Sequence, residues 1–128
     1  MDVAQLKRIP LFADAPDEEL QSVAFFAESK EVPEGTVLID EDGFANALMA
    51  IEDGTAEVSR EGERVAELGP GDIFGEGGMV RDEQRNATVT ATSSVKLISL
   101  GTFEVKRLRH RAPEIYRRIE ELAGERDG

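Results

Sequence analysis

Cysteine is absent from the 128-residue chain, and histidine occurs once, at His110. Without cysteine the protein has no disulfides, no thiolate metal ligands and no cysteine nucleophile. A single histidine also excludes the multi-histidine clusters on which zinc and iron enzymes depend. The sequence therefore predicts no metal site and disfavours metal catalysis. No catalytic residues are assigned, and the protein is expected not to be an enzyme.

Basic residues are also in short supply. Lysine and arginine number 15 against 27 aspartates and glutamates, which gives a formal net charge of −12. Binding to nucleic-acid phosphates needs a continuous basic surface, and the chain has one basic run, at residues 106–111. We expect no nucleic-acid partner. The basic run is interpreted as a solvated helix face, with a minor docking surface as the alternative.

Long apolar stretches are missing as well. The chain has no run of about 18 apolar residues and no charged-then-apolar leader, so the sequence predicts neither a membrane span nor a secretion signal. A cytoplasmic protein is expected. With 40% apolar residues, a chain of 128 residues has enough material for one core, so residues 1–128 are expected to form a single domain.

Helical patterns occur at both ends of the chain. A start at Pro16, followed by three acidic residues and then apolar residues at helical spacing, predicts a helix over residues 16–27. The preceding apolar plug, residues 9–12, is expected to cover one end of the core without regular structure. Helical spacing returns at 101–123 with a break at Pro113, and the last helix carries one apolar stripe. The stripe consists of Ile115, Ile119 and Leu122.

Between these helices, from about residue 30 to residue 100, the apolar residues follow a period of two and glycine-containing turns interrupt them. The predicted strands contain Val32 and residues 37–39, 48–51, 56–58, 65–68, 73–74, 87–91 and 95–100. About eight short strands of this kind are typical of a mainly β, antiparallel barrel or jelly roll.

The residues that can carry chemistry are concentrated between residues 74 and 92. Gly77 and Gly78 follow Glu76 in a turn whose backbone N–H groups can point at an anion, and glycine allows a ligand to approach that backbone closely. Nine positions after Glu76, Arg85 opens a predicted strand and offers two charge-assisted bonds to the same anion. The Glu76 carboxylate only accepts hydrogen bonds, so it is best explained by a ligand hydroxyl such as a ribose 2′-OH. This combination predicts a small nucleotide as the ligand.

These residues also carry a family resemblance. The order Gly71-Asp72-Ile73-Phe74-Gly75-Glu76, followed by Arg85-Asn86-Ala87-Thr88-Val89, resembles the phosphate-binding cassette of the cyclic-nucleotide-binding domain family. Protein kinase A regulatory subunits, bacterial cyclic AMP receptor proteins and nucleotide-gated channels contain this domain. The resemblance extends from the apolar plug, through the turn at 33–35 and the hairpin at Gly54, to Pro113.

The resemblance implies a fold and a set of binding residues. The implied fold is an eight-stranded antiparallel jelly roll, or double-stranded β-helix, with flanking N- and C-terminal helices. In the implied site Glu76 binds the ribose 2′-OH, Arg85 binds the exocyclic phosphate oxygens, and amides around the glycines and Ala87 bind the remaining oxygens. The predicted ligand-binding residues are Phe74, Gly75, Glu76, Gly77, Gly78, Arg85, Asn86 and Ala87.

Two positions depart from the family pattern. Gly77 stands where a bulky aliphatic residue is usual, which makes the cassette more costly to order. Asn86 replaces the usual small residue, and its amide can contact either the phosphate or a base edge. Cyclic AMP is the expected ligand, and the choice between cyclic AMP and cyclic GMP stays open.

The sequence thus predicts a cyclic nucleoside monophosphate sensor, a regulatory domain without an attached effector domain. It would signal to an unknown protein effector through movement of the C-terminal helices, after the ordered cassette repacks Phe103 and Leu108. Homodimerisation stays open. The alternative is a ligand-free jelly-roll interaction module in which Glu76 and Arg85 form an internal salt bridge. A cupin-like enzyme is disfavoured because such sites need several histidines. Tyr116 is interpreted as a packing residue, with a base-stacking lid as the alternative.

Overall fold

The computed structural model describes residues 2–39, 47–75 and 87–127. Within these ranges the helices are α1 (Val3–Leu6), α2 (Pro10–Ala13), α3 (Asp17–Phe26), α4 (Thr102–Arg111) and α5 (Pro113–Asp127). The strands are β1 (Glu28–Val32), β2 (Val37–Ile39), β3 (Ala47–Asp53), β4 (Ala56–Arg60), β5 (Glu63–Leu68), β6 (Ile73–Phe74), β7 (Thr88–Ala91) and β8 (Val95–Gly101). The prediction of a mainly β fold with flanking helices is confirmed.

The strands form two antiparallel sheets of four. The first has the order β1-β8-β3-β6 and the second the order β2-β7-β4-β5. Strand β8 is central to the first sheet, and Val95 and Leu97 project from one face while Ile98 and Leu100 contribute to the other. Because side chains alternate along a strand, this one strand serves two separate apolar layers.

Two buried clusters result from this alternation. The intersheet cluster lies between the sheets and contains Ile39, Ile51, Ala56, Phe74, Val89, Ala91, Val95 and Leu97. The helix cluster packs one face of the first sheet against the helices, and its strand members are Leu48, Ala50, Ile73, Ile98 and Leu100. Adjacent residues of β6 therefore belong to different clusters, Ile73 to the helix cluster and Phe74 to the intersheet cluster.

The N-terminal segment is more regular than the sequence predicts. The apolar plug does cover the core, since Ile9 and Phe12 are buried, but Pro10–Ala13 forms a helical turn with the proline at its first position. Proline suits that position because its missing N–H would have no helical partner. The preceding helix α1 carries a capping box between Asp2 and Gln5.

The C-terminal helices confirm the predicted break. Helix α4 ends at Arg111 and α5 starts at Pro113, where α5 buries Ile115 and Ile119 and half-buries Leu122. Helix α5 continues to Asp127, beyond the predicted end near residue 123. Tyr116 packs against the helix cluster, as the packing interpretation expects. Over the described residues, no helix is long and apolar enough to cross a membrane.

Two hydrogen bonds to the N-terminal helices hold α5 in place. The Glu19 carboxylate of α3 accepts a hydrogen bond at 3.0 Å from the backbone N–H of Ile115. The Arg118 guanidinium of α5 donates at 3.0 Å to the carbonyl oxygen of Leu11 in α2. The first bond satisfies one of the unpaired N–H groups that every helix N-terminus exposes. The position of α5 is therefore fixed by polar bonds as well as by its apolar stripe.

Candidate ligand-binding site

The predicted cassette connects the two sheets. Strand β6, which precedes it, is the edge strand of the first sheet and pairs with β3 through Met49↔Phe74 and Ala50↔Ile73. Strand β7, which follows it, lies inside the second sheet between β2 and β4. The chain between Phe74 and Thr88 thus has its two ends anchored in different sheets.

Three of the predicted site residues lie at these anchored ends. The Phe74 side chain is 4% exposed and belongs to the intersheet cluster. Gly75 follows with φ +90, a left-handed conformation that favours glycine. Ala87, immediately before β7, is buried. Because the Phe74 side chain is committed to the core, a contact between Phe74 and a ligand would involve its backbone. The binding roles of all three residues stay predictions.

The turn that leads into β6 is fixed by several hydrogen bonds. The Asp72 carboxylate accepts at 2.7 Å from the Gly69 N–H. The Gly71 N–H donates to the carbonyl oxygen of Ile51 at 2.8 Å, and the Ile51 N–H donates to the carbonyl oxygen of Asp72 at 2.9 Å. Sequence reasoning assigned no role to the Asp72 side chain, although an aspartate in a Gly-Pro-Gly-Asp turn is a recognisable turn signal.

The second sheet holds the far end of the cassette in a similar way. The Gly35 N–H donates to the carbonyl oxygen of Ala91 at 2.8 Å, and the Ala91 N–H donates to the carbonyl oxygen of Thr36 at 2.9 Å. These bonds join the predicted turn at 33–35 to the end of β7. The chain on both sides of the cassette is therefore held by backbone hydrogen bonds.

The remaining predicted site residues lie outside the described residues. They are Glu76, Gly77, Gly78, Arg85 and Asn86. Their roles, and the alternative of a salt bridge between Glu76 and Arg85, stay predictions. Within the ranges that the structure covers, no group of three or more histidine, aspartate or glutamate side chains is arranged to hold a metal ion.

A comparison with models of protein families identifies the family to which this fold belongs. The family model of the cyclic nucleotide-binding domain matches residues 29–111, more than half of the chain. The chain belongs to this family. The resemblance inferred from the cassette residues is thereby confirmed, and the matched span runs from β1 to the end of α4 and includes the whole cassette.

Curated relatives of this cyclic nucleotide-binding domain include regulatory subunits and channels. A cAMP-dependent protein kinase regulatory subunit of Yarrowia lipolytica is 38% identical over 105 residues, which cover 80% of this chain and 28% of the relative. A cyclic nucleotide-gated potassium channel of Rhizobium etli is 31% identical over 120 residues, which cover 94% of this chain and 34% of the channel. The chain thus spans about a third of these relatives or less.

Solved structures of other proteins share the fold of this cyclic nucleotide-binding domain. A putative cyclic nucleotide-binding protein from Geobacter metallireducens superposes with a TM-score of 0.84 at 22% identity, covering 98% of this chain and 94% of that one. The regulatory domain of Toxoplasma gondii PKA, crystallised with cAMP, gives a TM-score of 0.84 at 21% identity over 96% of this chain and 48% of that one. At these identities the likeness concerns the fold.

Proposed function

We propose that this protein binds a cyclic nucleoside monophosphate, with cyclic AMP as the expected ligand, and acts as a regulatory sensor. The observation that carries the proposal is the family match over residues 29–111, a span that contains both Glu76 and Arg85. Relatives whose names contain cAMP or cyclic nucleotide support it. In the proposed site Arg85 and backbone amides bind the phosphate, and Glu76 accepts a hydrogen bond from the ribose.

The proposal includes the finer architecture. We infer that the two sheets form an eight-stranded jelly roll and that residues 1–128 act as one domain. The shared use of β3, β6 and β8 by both buried clusters supports a single unit, because the helices and the second sheet pack on opposite faces of one sheet.

Strand β6 offers a route from ligand to helices. Ile73 belongs to the helix cluster together with Leu108, Ile115 and Ile119, while its neighbour Phe74 leads into the cassette. A cassette that orders around a phosphate would shift β6, and any shift of Ile73 changes the surface on which the helices pack. The proposed signal is a resulting movement of α5 relative to the sheet.

One part of the predicted mechanism needs correction. The sequence predicts that Phe103 repacks with Leu108, but the Phe103 side chain is 82% exposed whereas Leu108 is fully buried. Phe103 lies on the opposite face of α4 from Val105 and Leu108, so it contributes nothing to the helix cluster. The proposed coupling therefore uses Leu108, and Phe103 stays available on the surface.

Calorimetric titration tests the binding proposal. We expect nucleotide-stripped protein to bind cyclic AMP, and Arg85→Ala to weaken binding by roughly 10- to 150-fold, the equivalent of a lost charge-assisted bond of about 1.5–3 kcal/mol. Arg81→Ala removes the same kind of charge from the same segment and serves as the matched control. A parallel titration with cyclic GMP determines the preferred base.

The ligand-free interaction module remains the competing function. It predicts no heat with either nucleotide and no thermal shift at millimolar ligand. Equal binding by Arg85→Ala and Arg81→Ala would contradict the proposed site while leaving nucleotide binding itself intact. The two outcomes thus separate the choice of function from the choice of residues.

A further inference from the structure

Two phenylalanines that contribute nothing to either core lie on neighbouring helices. Phe25, near the end of α3, is 83% exposed, and Phe103, in the first turn of α4, is 82% exposed. The Phe25 ring meets Phe26 edge to face with centroids 5.3 Å apart, and the Arg107 guanidinium lies 5.9 Å from the centroid of Phe26. Arg107 is one turn beyond Phe103, and residues four apart on a helix are neighbours. The four side chains therefore share one patch.

The exposed face of α4 surrounds this patch with positive charge. Val105, Leu108 and Ala112 are buried on one side of the helix, so Phe103 lies at the centre of the opposite side. The side chains around Phe103 on that face are Lys106, Arg107, His110 and Arg111. Among the residues that the structure describes, Arg111 and its neighbour Arg109 have no ion-pair partner. We define the aromatic–basic surface as Phe25, Phe26, Phe103, Arg107 and Arg111.

The helix that carries most of this surface, α4, has a charge opposite to that of the molecule. Residues 102–111 contain four lysines or arginines and one glutamate, a net +3, whereas the chain carries −12. The remaining residues therefore carry −15. A compact cationic area on so acidic a protein favours an acidic ligand at this place, because the rest of the surface repels one.

We propose that the aromatic–basic surface docks an acidic amphipathic segment of a partner protein. Apolar side chains of that segment would cover the two exposed phenylalanines, and its carboxylates would pair with Arg107 and Arg111. Aromatic residues and arginine are the side chains that most often dominate binding energy in protein interfaces, and arginine binds carboxylates in a bidentate geometry. This inference rests on the proposed function, because it assigns the surface through which the sensor would bind its partner. The docking chemistry itself needs no nucleotide.

The distribution of charge favours a narrow partner over a broad anionic surface. The first turn of α3 carries Asp17, Glu18 and Glu19, about 9–12 Å along the helix from Phe25. A membrane or a nucleic acid large enough to cover the patch would also face these carboxylates, whereas a single helix laid along α4 avoids them. The partner is therefore expected to be a protein segment.

The test uses a fluorescent synthetic helix with leucine and phenylalanine along one face and glutamate elsewhere. We expect it to bind the full chain, and to bind at least about tenfold more weakly to the double variant Phe25→Ser with Phe103→Ser. Reversing the charges, Arg107→Glu with Arg111→Glu, should weaken binding at least as much. A peptide with lysine in place of glutamate should show the opposite preference and bind the charge-reversed protein better than the wild type.

Matched controls come from elsewhere on the surface. Val37→Ser with Val65→Ser removes two other exposed apolar side chains, and Lys96→Glu reverses an exposed charge outside α4. These variants should bind the acidic peptide within about twofold of wild type. All altered side chains are exposed, and unfolding curves verify that each variant is folded.

Several outcomes would overturn the proposal. They are no binding of the acidic peptide at about 1 mM, equal losses in the patch and control variants, or sedimentation with phosphatidylserine vesicles that the peptide does not displace. A dimer that dissociates in the patch variants would instead assign the surface to a second copy. Titration of the Phe25 and Phe103 variant with cyclic AMP separates the two proposals, because docking fails there while nucleotide binding is expected to persist.

Discussion

At the scale of single residues, Glu76 and Arg85 are expected to act on the same ligand with opposite charges. A charge-assisted bond from Arg85 to a phosphate oxygen contributes about 1.5–3 kcal/mol. The protein's net charge is −12, but surface charges farther from the ligand than the Debye length of about 8 Å are largely screened. The nearby carboxylate of Glu76 is tolerable in such a site only if a ligand hydroxyl donates to it.

Pairing a ligand change with a side-chain change tests this role of Glu76. We expect 2′-deoxy cyclic AMP to bind the wild type about tenfold more weakly than cyclic AMP, since it lacks the hydroxyl that donates to the carboxylate. In Glu76→Ala the two nucleotides should bind alike, because the acceptor is gone. Calorimetry on the four combinations gives the coupling energy directly. If Glu76→Ala bound 2′-deoxy cyclic AMP more weakly than cyclic AMP by the same factor as the wild type does, the ribose 2′-hydroxyl would donate to another acceptor.

At the scale of elements, the start of α5 depends on a side chain from α3. The Glu19 carboxylate accepts from the Ile115 N–H, and a negative charge at a helix N-terminus also interacts favourably with the helix dipole. We expect Glu19→Ala to lower the free energy of unfolding by about 1–2 kcal/mol and to speed hydrogen exchange at Ile115. Urea denaturation and amide exchange measure the two effects.

Glu18→Ala is the matched control for the α3 contact. It removes an acidic residue from the same first turn of α3, so it loses the same local dipole interaction, but among the described residues Glu18 makes no bond to α5. Exchange at Ile115 should be unchanged in this variant. If Glu18→Ala and Glu19→Ala had the same effect at Ile115, the contact between the helices would contribute nothing to holding α5.

Nucleotide binding is expected to change the protection of the C-terminal helices. Ile73 shares a buried cluster with Leu108, Ile115 and Ile119, so we expect ligand binding at the cassette to alter the packing beneath α4 and α5. Hydrogen exchange over residues 103–122 should differ between free and saturated protein, and the difference should disappear in Arg85→Ala. Identical protection of this segment with and without saturating nucleotide would contradict the proposed signal.

The predictability of each element follows from the length of its pattern. The strands repeat a two-residue period between glycine turns, so their positions along the chain could be predicted from the sequence. Helices α1 and α2 have four residues each, too short to be stable alone, and they depend on a capping box and on packing. Phe103 shows the limit of helical spacing, because an apolar residue can occupy the outer face of a helix. The family resemblance identified the cassette, while the roles of Glu76 and Arg85 stay predictions.

At the scale of the whole molecule, the first sheet is shared between two apolar layers. Its strands contribute Ile73, Ile98 and Leu100 to the helices and Phe74, Val95 and Leu97 to the second sheet. A change in the packing of either apolar layer therefore acts on the strands of this one sheet.

The excess of negative charge should make the stability of the fold dependent on salt. Like charges repel one another most in the compact state, and the screening length falls from about 10 Å at 0.1 M salt to about 3 Å at 1 M. We expect sodium chloride over this range to raise the Tm by several degrees, about 1 kcal/mol of stability. In the double variant Glu31→Lys with Glu120→Lys each substitution changes the charge by +2, so the net charge goes from −12 to −8. The Tm of this variant should respond less to salt. Glu31→Asp with Glu120→Asp keeps the charge and should respond like the wild type. An equal salt response in all three proteins would mean that surface repulsion does not limit stability.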